Sequence, residues 1–158
     1  MSVRRIMSTP VVTLSPEDSV ARARRLFRTH EISALPVVSD AMTLRGILLA
    51  RDLVASQPDE ARTPASTVMR RRVHTLAGDA PIGDLAAVMA HHRIHHLVIV
   101  SKRLVEGIVS SFDLLKILGI TLQGSLDECE PITEESRLPE VPDLILLDTA
   151  PESPDEWT

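Results

Sequence analysis

The chain has 158 residues, 44% of them hydrophobic, so it can bury one sizeable core or two small halves that share a core. Its net charge of −5 divides unevenly, because residues 1–123 carry 16 basic and 11 acidic side chains, whereas residues 124–158 carry one Arg and 11 acids. No run approaches the about 20 apolar residues of a membrane span, and no signal-peptide pattern is present. Cys129 has no second cysteine to pair with. These features predict a cytoplasmic protein without an internal disulfide.

The first part of the chain predicts a strand, a helix, two strands and a second helix. Residues 11–14 form a short apolar run typical of a strand, and residues 15–18 carry the turn and cap residues that begin a helix. Val20, Ala23 and Phe27 then recur at the spacing of one helix face. Two further strands are predicted at residues 34–38 and 46–49, and a helix from about residue 50 to 56.

The same order of elements occurs again after a connection at residues 57–66. A shift of 62 residues superimposes His30, Ile32 and Leu35 on His92, Ile94 and Leu97. After a turn that is one residue shorter, a shift of 61 superimposes Gly46 and Asp52 on Gly107 and Asp113. A unit of about 50 residues is near the lower limit for independent stability, so the copies should pack together and leave two related clefts between them.

These repeats resemble the CBS domain family, and their tandem arrangement resembles the pair known as a Bateman module. The resemblance is carried by residues 6–14, 32–38, 46–53 and 107–114 and covers about residues 3–120. It implies an α/β fold in which two β-α-β-β-α repeats pack about a pseudo-twofold axis. The implied domains are a first repeat at 1–60, a second repeat at 61–122, and an acidic, partly extended tail at 123–158.

The resemblance also implies a non-catalytic regulatory module without a cofactor, a homodimer, and a ligand such as AMP, ADP or ATP, with S-adenosylmethionine as a further candidate. In the family motif, Ser110 would lie near phosphate and Asp113 would accept hydrogen bonds from ribose hydroxyls. The start of a helix favours such a site, since its free N–H groups attract phosphate. The alternative is that Ser110 and Asp113 form only a helix capping box.

The remaining candidate contacts follow from the same resemblance. Adenine would lie between two groups of main-chain contacts, namely Val73, His74 and Thr75 on one side and His96, Leu97 and Val98 on the other. In the first repeat Leu49 replaces the hydroxyl residue beside Asp52, so we expect that site to be weakened or empty. Arg51 could supply charge there, or could be an ordinary solvated side chain.

Two basic runs need a separate interpretation. The run at residues 91–96 contains four histidines at i,i+4 spacings that suit a metal, but the helix should end within it, so we predict no metal site. His95 and His96 are better interpreted as phosphate partners. Arg70, Arg71 and Arg72 could neutralise a polyphosphate, with Arg71 as the candidate contact, or could form an exposed loop or a docking patch for an acidic segment.

The tail is rich in acids and prolines, which predicts a largely extended segment. Residues 144–147 are the exception, and this apolar run could add a strand to a sheet edge or lie in a groove, on its own body or on a partner. We hypothesise that the tail lies across the basic body and competes with an anionic ligand.

Two interpretations of function stay open. The first is a sensor of an adenosine-containing nucleotide in the cleft between repeats, and the alternative is a protein-interaction or structural CBS module with no small-molecule ligand. Nucleic-acid binding is opposed by the acidic net charge and the few aromatics. No nucleophile elbow, P-loop or metal-hydrolase spacing is present, so we predict that the chain is not an enzyme.

Overall fold

The structure, a computed structural model, describes residues 1–54, 59–122 and 145–148. Within these ranges no helix has the length and hydropathy needed to cross a membrane. The helices are α1 (Val20–His30), α2 (Ala65–Val68), α3 (Ile82–His92) and α4 (Ser111–Leu122), with 3-10 helices at Val3–Arg5 and Ala50–Leu53. The strands are β1 (Ala34–Val38), β2 (Leu44–Leu49), β3 (Arg72–Leu76), β4 (His96–Ser101), β5 (Leu104–Ser110) and β6 (Ile145–Asp148).

The strands form one sheet in each repeat. In the first repeat β1 pairs antiparallel with β2. In the second repeat the order is β5-β4-β3-β6, in which only β3 and β4 are parallel. The residues of β1 are buried along its whole length, as expected for a strand covered on both faces.

The helix α1 forms where the sequence predicts it. The hydroxyl of Ser19 accepts a hydrogen bond from the N–H of Arg22 and caps the helix, which ends at Glu31 in the left-handed region (φ 51°). Its predicted stripe of Val20, Ala23 and Phe27 is buried in the core of the first repeat.

The two repeats exchange their opening segments. Val3 lies in the core of the second repeat, where its N–H donates to the carbonyl of Ala80 at 2.9 Å. Ala65 and Met69, from the start of the second repeat, lie in the core of the first. Each repeat therefore completes the hydrophobic core of the other, and a third cluster between the two sheets joins them further.

Three predicted elements differ in extent from those in the structure. The strand expected at residues 11–14 is reduced to a single parallel bridge between Leu14 and Val37, because within the described part of the chain it has no second neighbour like the one β6 provides for β3. The helix expected at residues 50–56 begins at Ala50 as a 3-10 helix, and residues 55–58 lie outside the described part. The connection expected at 57–66 ends earlier, since Ala65 and Ser66 already belong to α2.

The apolar run of the tail adds a strand to the molecule's own sheet. β6 pairs antiparallel with β3, with Leu146 opposite His74 and Asp148 opposite Arg72. Of the alternatives left open by the sequence, the structure therefore shows strand addition on the same chain. The rest of the predicted tail, residues 123–144 and 149–158, lies outside the described residues.

Candidate ligand-binding clefts

Two clefts lie between the repeats, and the internal repeat relates their walls. We call one the basic cleft; its cavity of about 340 Å³ is bordered by Arg51, Arg70, Arg72, Val73 and His74. We call the other the Asp113 cleft; its cavity of about 580 Å³ is bordered by Val11, Val12, Ser110, Phe112 and Asp113. Both volumes fall within the range of about 300–1,000 Å³ typical of small-molecule sites.

The crossing of the exchanged segments determines which strands meet at each cleft. Ser8 forms an antiparallel bridge with Ile108 of β5, and its repeat equivalent Arg70 forms the same bridge with Ile47 of β2. Each cleft therefore combines the opening segment of one repeat with the final strand and helix of the other. Gly46 makes the crossing possible, since a Cβ there would lie 2.8 Å from the carbonyl oxygen of Arg70.

The predicted pair Ser110 and Asp113 begins α4 and borders the Asp113 cleft. Oδ2 of Asp113 accepts hydrogen bonds from the N–H and the hydroxyl of Ser110 at 2.8 and 2.7 Å, while the Ser110 hydroxyl accepts the N–H of Asp113 at 3.3 Å. This is the reciprocal geometry of a capping box, the alternative that the sequence left open. Oδ1 has a looser contact, 3.5 Å from the ammonium of Lys116, and so has capacity to accept further hydrogen bonds.

The predicted adenine contacts do not all lie beside Ser110 and Asp113. Val73 and His74 border the basic cleft, and the Asp113 cleft has their repeat equivalents Val11 and Val12 in the same place. The physical reason is the exchange of opening segments, which carries each first strand to the opposite cleft. His96 borders both clefts.

The other three predicted adenine contacts have fully buried side chains. Thr75, Leu97 and Val98 have no exposed surface. Leu97 belongs to the core of the second repeat and Val98 to the cluster between the two sheets. Any ligand contact through their main chains stays a prediction.

Asp52 holds an arginine of the basic cleft in place. Its carboxylate accepts two hydrogen bonds from Arg70, with Nε–Oδ2 at 2.7 Å and Nη2–Oδ1 at 2.6 Å. The guanidinium lowers the pKa of Asp52 through these hydrogen bonds, so the carboxylate is ionised at neutral pH. Asp52 is thus paired with Arg70, and the ribose contact predicted for it stays a prediction.

The three consecutive arginines separate in the structure. Arg70 and Arg72 border the basic cleft, whereas Arg71 does not and donates a hydrogen bond to the carbonyl of Ser66 at 3.3 Å. All three border an open surface hollow beside α2. Arg71 lies in the bend just before β3, which begins at Arg72. The sequence predicts a phosphate contact in this run with Arg71 as the contact, whereas Arg70 and Arg72 are the arginines of the run that border the basic cleft.

One hydrogen bond lies in the wall that the clefts share. Ser33 Oγ and His96 Nε2 are 3.0 Å apart, and both residues border both clefts. Burial lowers the pKa of His96, and His95 and Arg51 act in the same direction, while Asp113 acts against them. His96 is therefore mainly neutral at pH 7 and experiences charges from both clefts.

The histidine run does not form one continuous helix. α3 ends at His92, and Arg93 caps it in the left-handed region (φ 52°), so the i,i+4 pairs fall on different elements. The ring of His92 contacts that of His74 at a centroid distance of 4.6 Å. Within the described residues, no group of three or more His, Cys, Asp or Glu side chains is placed to hold a metal ion.

The sequence did not single out several cleft residues that the structure shows. Val11, Val12 and Ile32 form an apolar wall of the Asp113 cleft, and Ile47 and Ile94 do so in the basic cleft. The 62-residue shift contained part of the signal, because it relates Ile32 of one cleft to Ile94 of the other, but it does not say which segments meet across the repeats.

Comparisons with known protein families agree with this architecture. The model of the CBS domain family matches the chain twice, at residues 3–59 and at residues 65–120. The CBS domain-containing protein YhcV of Bacillus subtilis is 34% identical over 116 residues, which are 72% of this chain and 82% of that protein.

Two further relatives have informative structures. Hypoxic response protein 1 of Mycobacterium tuberculosis is 27% identical over 121 residues, or 74% of this chain and 85% of that protein. A crystal structure of Hypoxic Response Protein I contains two coordinated zinc ions and aligns with a TM-score of 0.65, covering 73% of this chain and 98% of that one. The CBS domain pair of protein MJ0100, solved with 5-methylthioadenosine and S-adenosyl-L-methionine, aligns with a TM-score of 0.70 at 29% identity and covers 77% of this chain and 98% of that one.

Proposed function

The chain belongs to the CBS domain family, with two tandem repeats that form a regulatory module, and from that premise we propose that it senses an adenosine-containing ligand in the Asp113 cleft. The observation that carries the proposal is the fixed carboxylate of Asp113 in a cleft between repeats. Ser110 holds one of its oxygens and leaves the other near the cleft with only a 3.5 Å contact to Lys116.

The lining of this cleft suits a nucleoside. Val11, Val12, Ile32 and Ala34 supply an apolar surface for a base, and Asp113 lies on the opposite repeat, where it can accept both ribose hydroxyls. The complex of the MJ0100 domain pair with two adenosine-containing compounds supports this ligand class. Ligand binding would bias the relative orientation of the repeats, which a protein partner in the cytoplasm would detect.

Thermal shift with AMP, ADP, ATP, S-adenosylmethionine and NAD tests the proposal, since a ligand that binds only the folded state raises the melting temperature. We expect at least one adenosine compound to raise it in the wild type and Asp113→Asn to remove the shift. Asp84→Asn, on α3 outside both clefts, should keep it. Absence of a shift with every compound would favour the alternative, a CBS module that only binds proteins.

We further propose that two copies associate through α4. Phe112, Leu115 and Leu118 recur along this helix and are 63%, 61% and 53% exposed, an arrangement that indicates an interaction surface. The family resemblance, which implies a homodimer, favours a second copy as the occupant.

Sedimentation velocity tests the homodimer. Leu115→Glu should give a monomer because it places a charge in the centre of the apolar interface, whereas Thr29→Glu on the exposed side of α1 should leave the dimer intact. A wild-type monomer at tens of micromolar, or a dimer that tolerates Leu115→Glu, would contradict the assignment.

A further inference from the structure

The two clefts differ in charge at positions that the repeat makes equivalent. Arg70 and Arg72 in the basic cleft correspond to Ser8 and Pro10 in the Asp113 cleft, and Arg51 corresponds to Phe112. The basic cleft therefore contains three guanidinium groups where its counterpart contains three uncharged side chains.

Among the side chains that the structure describes, few carboxylates compensate the charge of the basic cleft. Asp52 neutralises Arg70 in part, but Arg51 and Arg72 form no ion pair with any carboxylate whose side chain the structure describes. By contrast, the Asp113 cleft is bordered by two carboxylates, Glu31 and Asp113, and by one ammonium group. A polyanion would thus be attracted more strongly to the basic cleft than to the Asp113 cleft.

The geometry of the basic cleft suits several phosphate groups. The hydrogen bonds with Asp52 fix Arg70 and leave its other N–H groups available, because a guanidinium has five donors. His74 lies beside Arg72, and burial together with His92 and Arg72 lowers its pKa, so near pH 7 it is a neutral group that can still donate a hydrogen bond.

We propose that the basic cleft is a polyphosphate site, which takes the di- or triphosphate part of a ligand through Arg51, Arg70 and Arg72. This reverses the expectation that the first-repeat site, with Leu49 in place of a hydroxyl residue, is weakened or empty. This assignment deepens the proposed function, because it gives the two clefts ligands of different charge. Binding of polyphosphate in the basic cleft does not depend on binding of a nucleoside in the Asp113 cleft.

Isothermal titration with inorganic tripolyphosphate tests the site directly. Arg72→Gln should weaken binding about tenfold at low salt, because it removes one of three clustered guanidinium groups that can each make charge-assisted hydrogen bonds to phosphate oxygens. Arg28→Gln removes the same charge from the exposed side of α1 and should change the affinity less than about twofold. Arg70→Gln is avoided as the first variant, since it would leave Asp52 without its partner.

Three results would overturn the proposal: no binding of tripolyphosphate, equal weakening by Arg72→Gln and Arg28→Gln, or loss of binding in Asp113→Asn with Arg72→Gln unaffected. Equal weakening by both arginine variants would indicate unspecific attraction, and loss of binding in Asp113→Asn alone would indicate binding in the other cleft. Uncharged adenosine is titrated in parallel, and its binding should respond to Asp113→Asn and not to Arg72→Gln. Binding of tripolyphosphate without any binding of adenosine would support this site while contradicting the proposed nucleoside sensor.

Discussion

At the scale of residues, His96 borders both clefts, so charges in both clefts affect its pKa and, through it, the stability of the fold. His96 donates to or accepts from Ser33, and its pKa is lowered mainly by burial. Arg51, on one side, disfavours its protonation, whereas Asp113, on the other, favours it. A change of charge in either cleft should therefore shift the pKa of His96.

The direction of these shifts predicts how stability depends on pH. Because His96 and His74 have lower pKa values in the folded chain than the about 6.5 of an unfolded chain, the unfolded state binds more protons as pH falls below that value. The free energy of unfolding should therefore be highest above about pH 7 and should decrease toward pH 5.5. The change for Asp52, whose pKa is lowered, falls in a separate window below about pH 4.

Urea unfolding at several pH values measures this effect. His96→Asn should reduce the decrease between pH 7.5 and 5.5, while His30→Asn, at the exposed end of α1, should leave it as in the wild type. A slope that is equal in the wild type and in His96→Asn would contradict the assignment.

At the scale of elements, two equivalent glycines mark the points where the exchanged segments cross the final strands. A Cβ at Gly46 would lie 2.7 Å from Met69 Sδ and 2.8 Å from the backbone oxygen of Arg70. A Cβ at Gly107 would meet Met7, whose flexible side chain supplies all three nearest atoms. An added Cβ would therefore meet backbone at Gly46, whereas the three nearest atoms at Gly107 all belong to a flexible side chain.

We predict that Gly46→Ala lowers the free energy of unfolding by about 1–3 kcal/mol and that Gly107→Ala costs less, because Met7 can move and the backbone of Arg70 cannot. Gly83→Ala on α3 is the matched control, since no atom lies within 4 Å of its added Cβ. That substitution should be neutral or stabilise by up to about 1 kcal/mol. Denaturant unfolding of the three variants gives the ranking, which a larger loss for Gly107→Ala would refute.

The elements also show how far sequence patterns reach. Helix α1 and strands β1, β4 and β5 could be predicted because their apolar periodicity and caps are local, and tandem repetition of the CBS domain is confirmed. The assignment of Val73 and His74 to a cleft could not be made, because it depends on which repeat the opening segment joins. That pairing is set by tertiary packing of residues such as Val3 and Met69, which a periodic pattern does not encode.

At the scale of the whole molecule, the acidic tail contacts the body at the strand that borders the basic cleft. The register places Asp148 opposite Arg72 and Leu146 opposite His74, so β6 pairs with the same strand that we assign to polyphosphate binding. The hypothesis that the tail competes with an anionic ligand thereby gains a location, although the contact of the remaining acids stays a prediction.

Two truncated chains separate the strand from the rest of the tail. A chain that ends at residue 143 lacks β6, and one that ends at residue 148 keeps it, while both lack residues 149–158. The shorter chain should show faster amide hydrogen exchange at residues 72–75 and tighter binding of tripolyphosphate at low salt. Equal exchange and equal affinity in the two chains would contradict both the strand pairing and the competition.

The exchange of opening segments also determines when each core can be completed as the chain is synthesised. When the first repeat has emerged from the ribosome, Ala65 and Met69, which complete its core, have not yet been made available to it. Val3 can be buried only when residues 76–109 of the second repeat exist. The core of the first repeat can therefore be completed once residue 69 has emerged, whereas the core of the second repeat can form only after residue 109 and must then recover Val3 from the start of the chain.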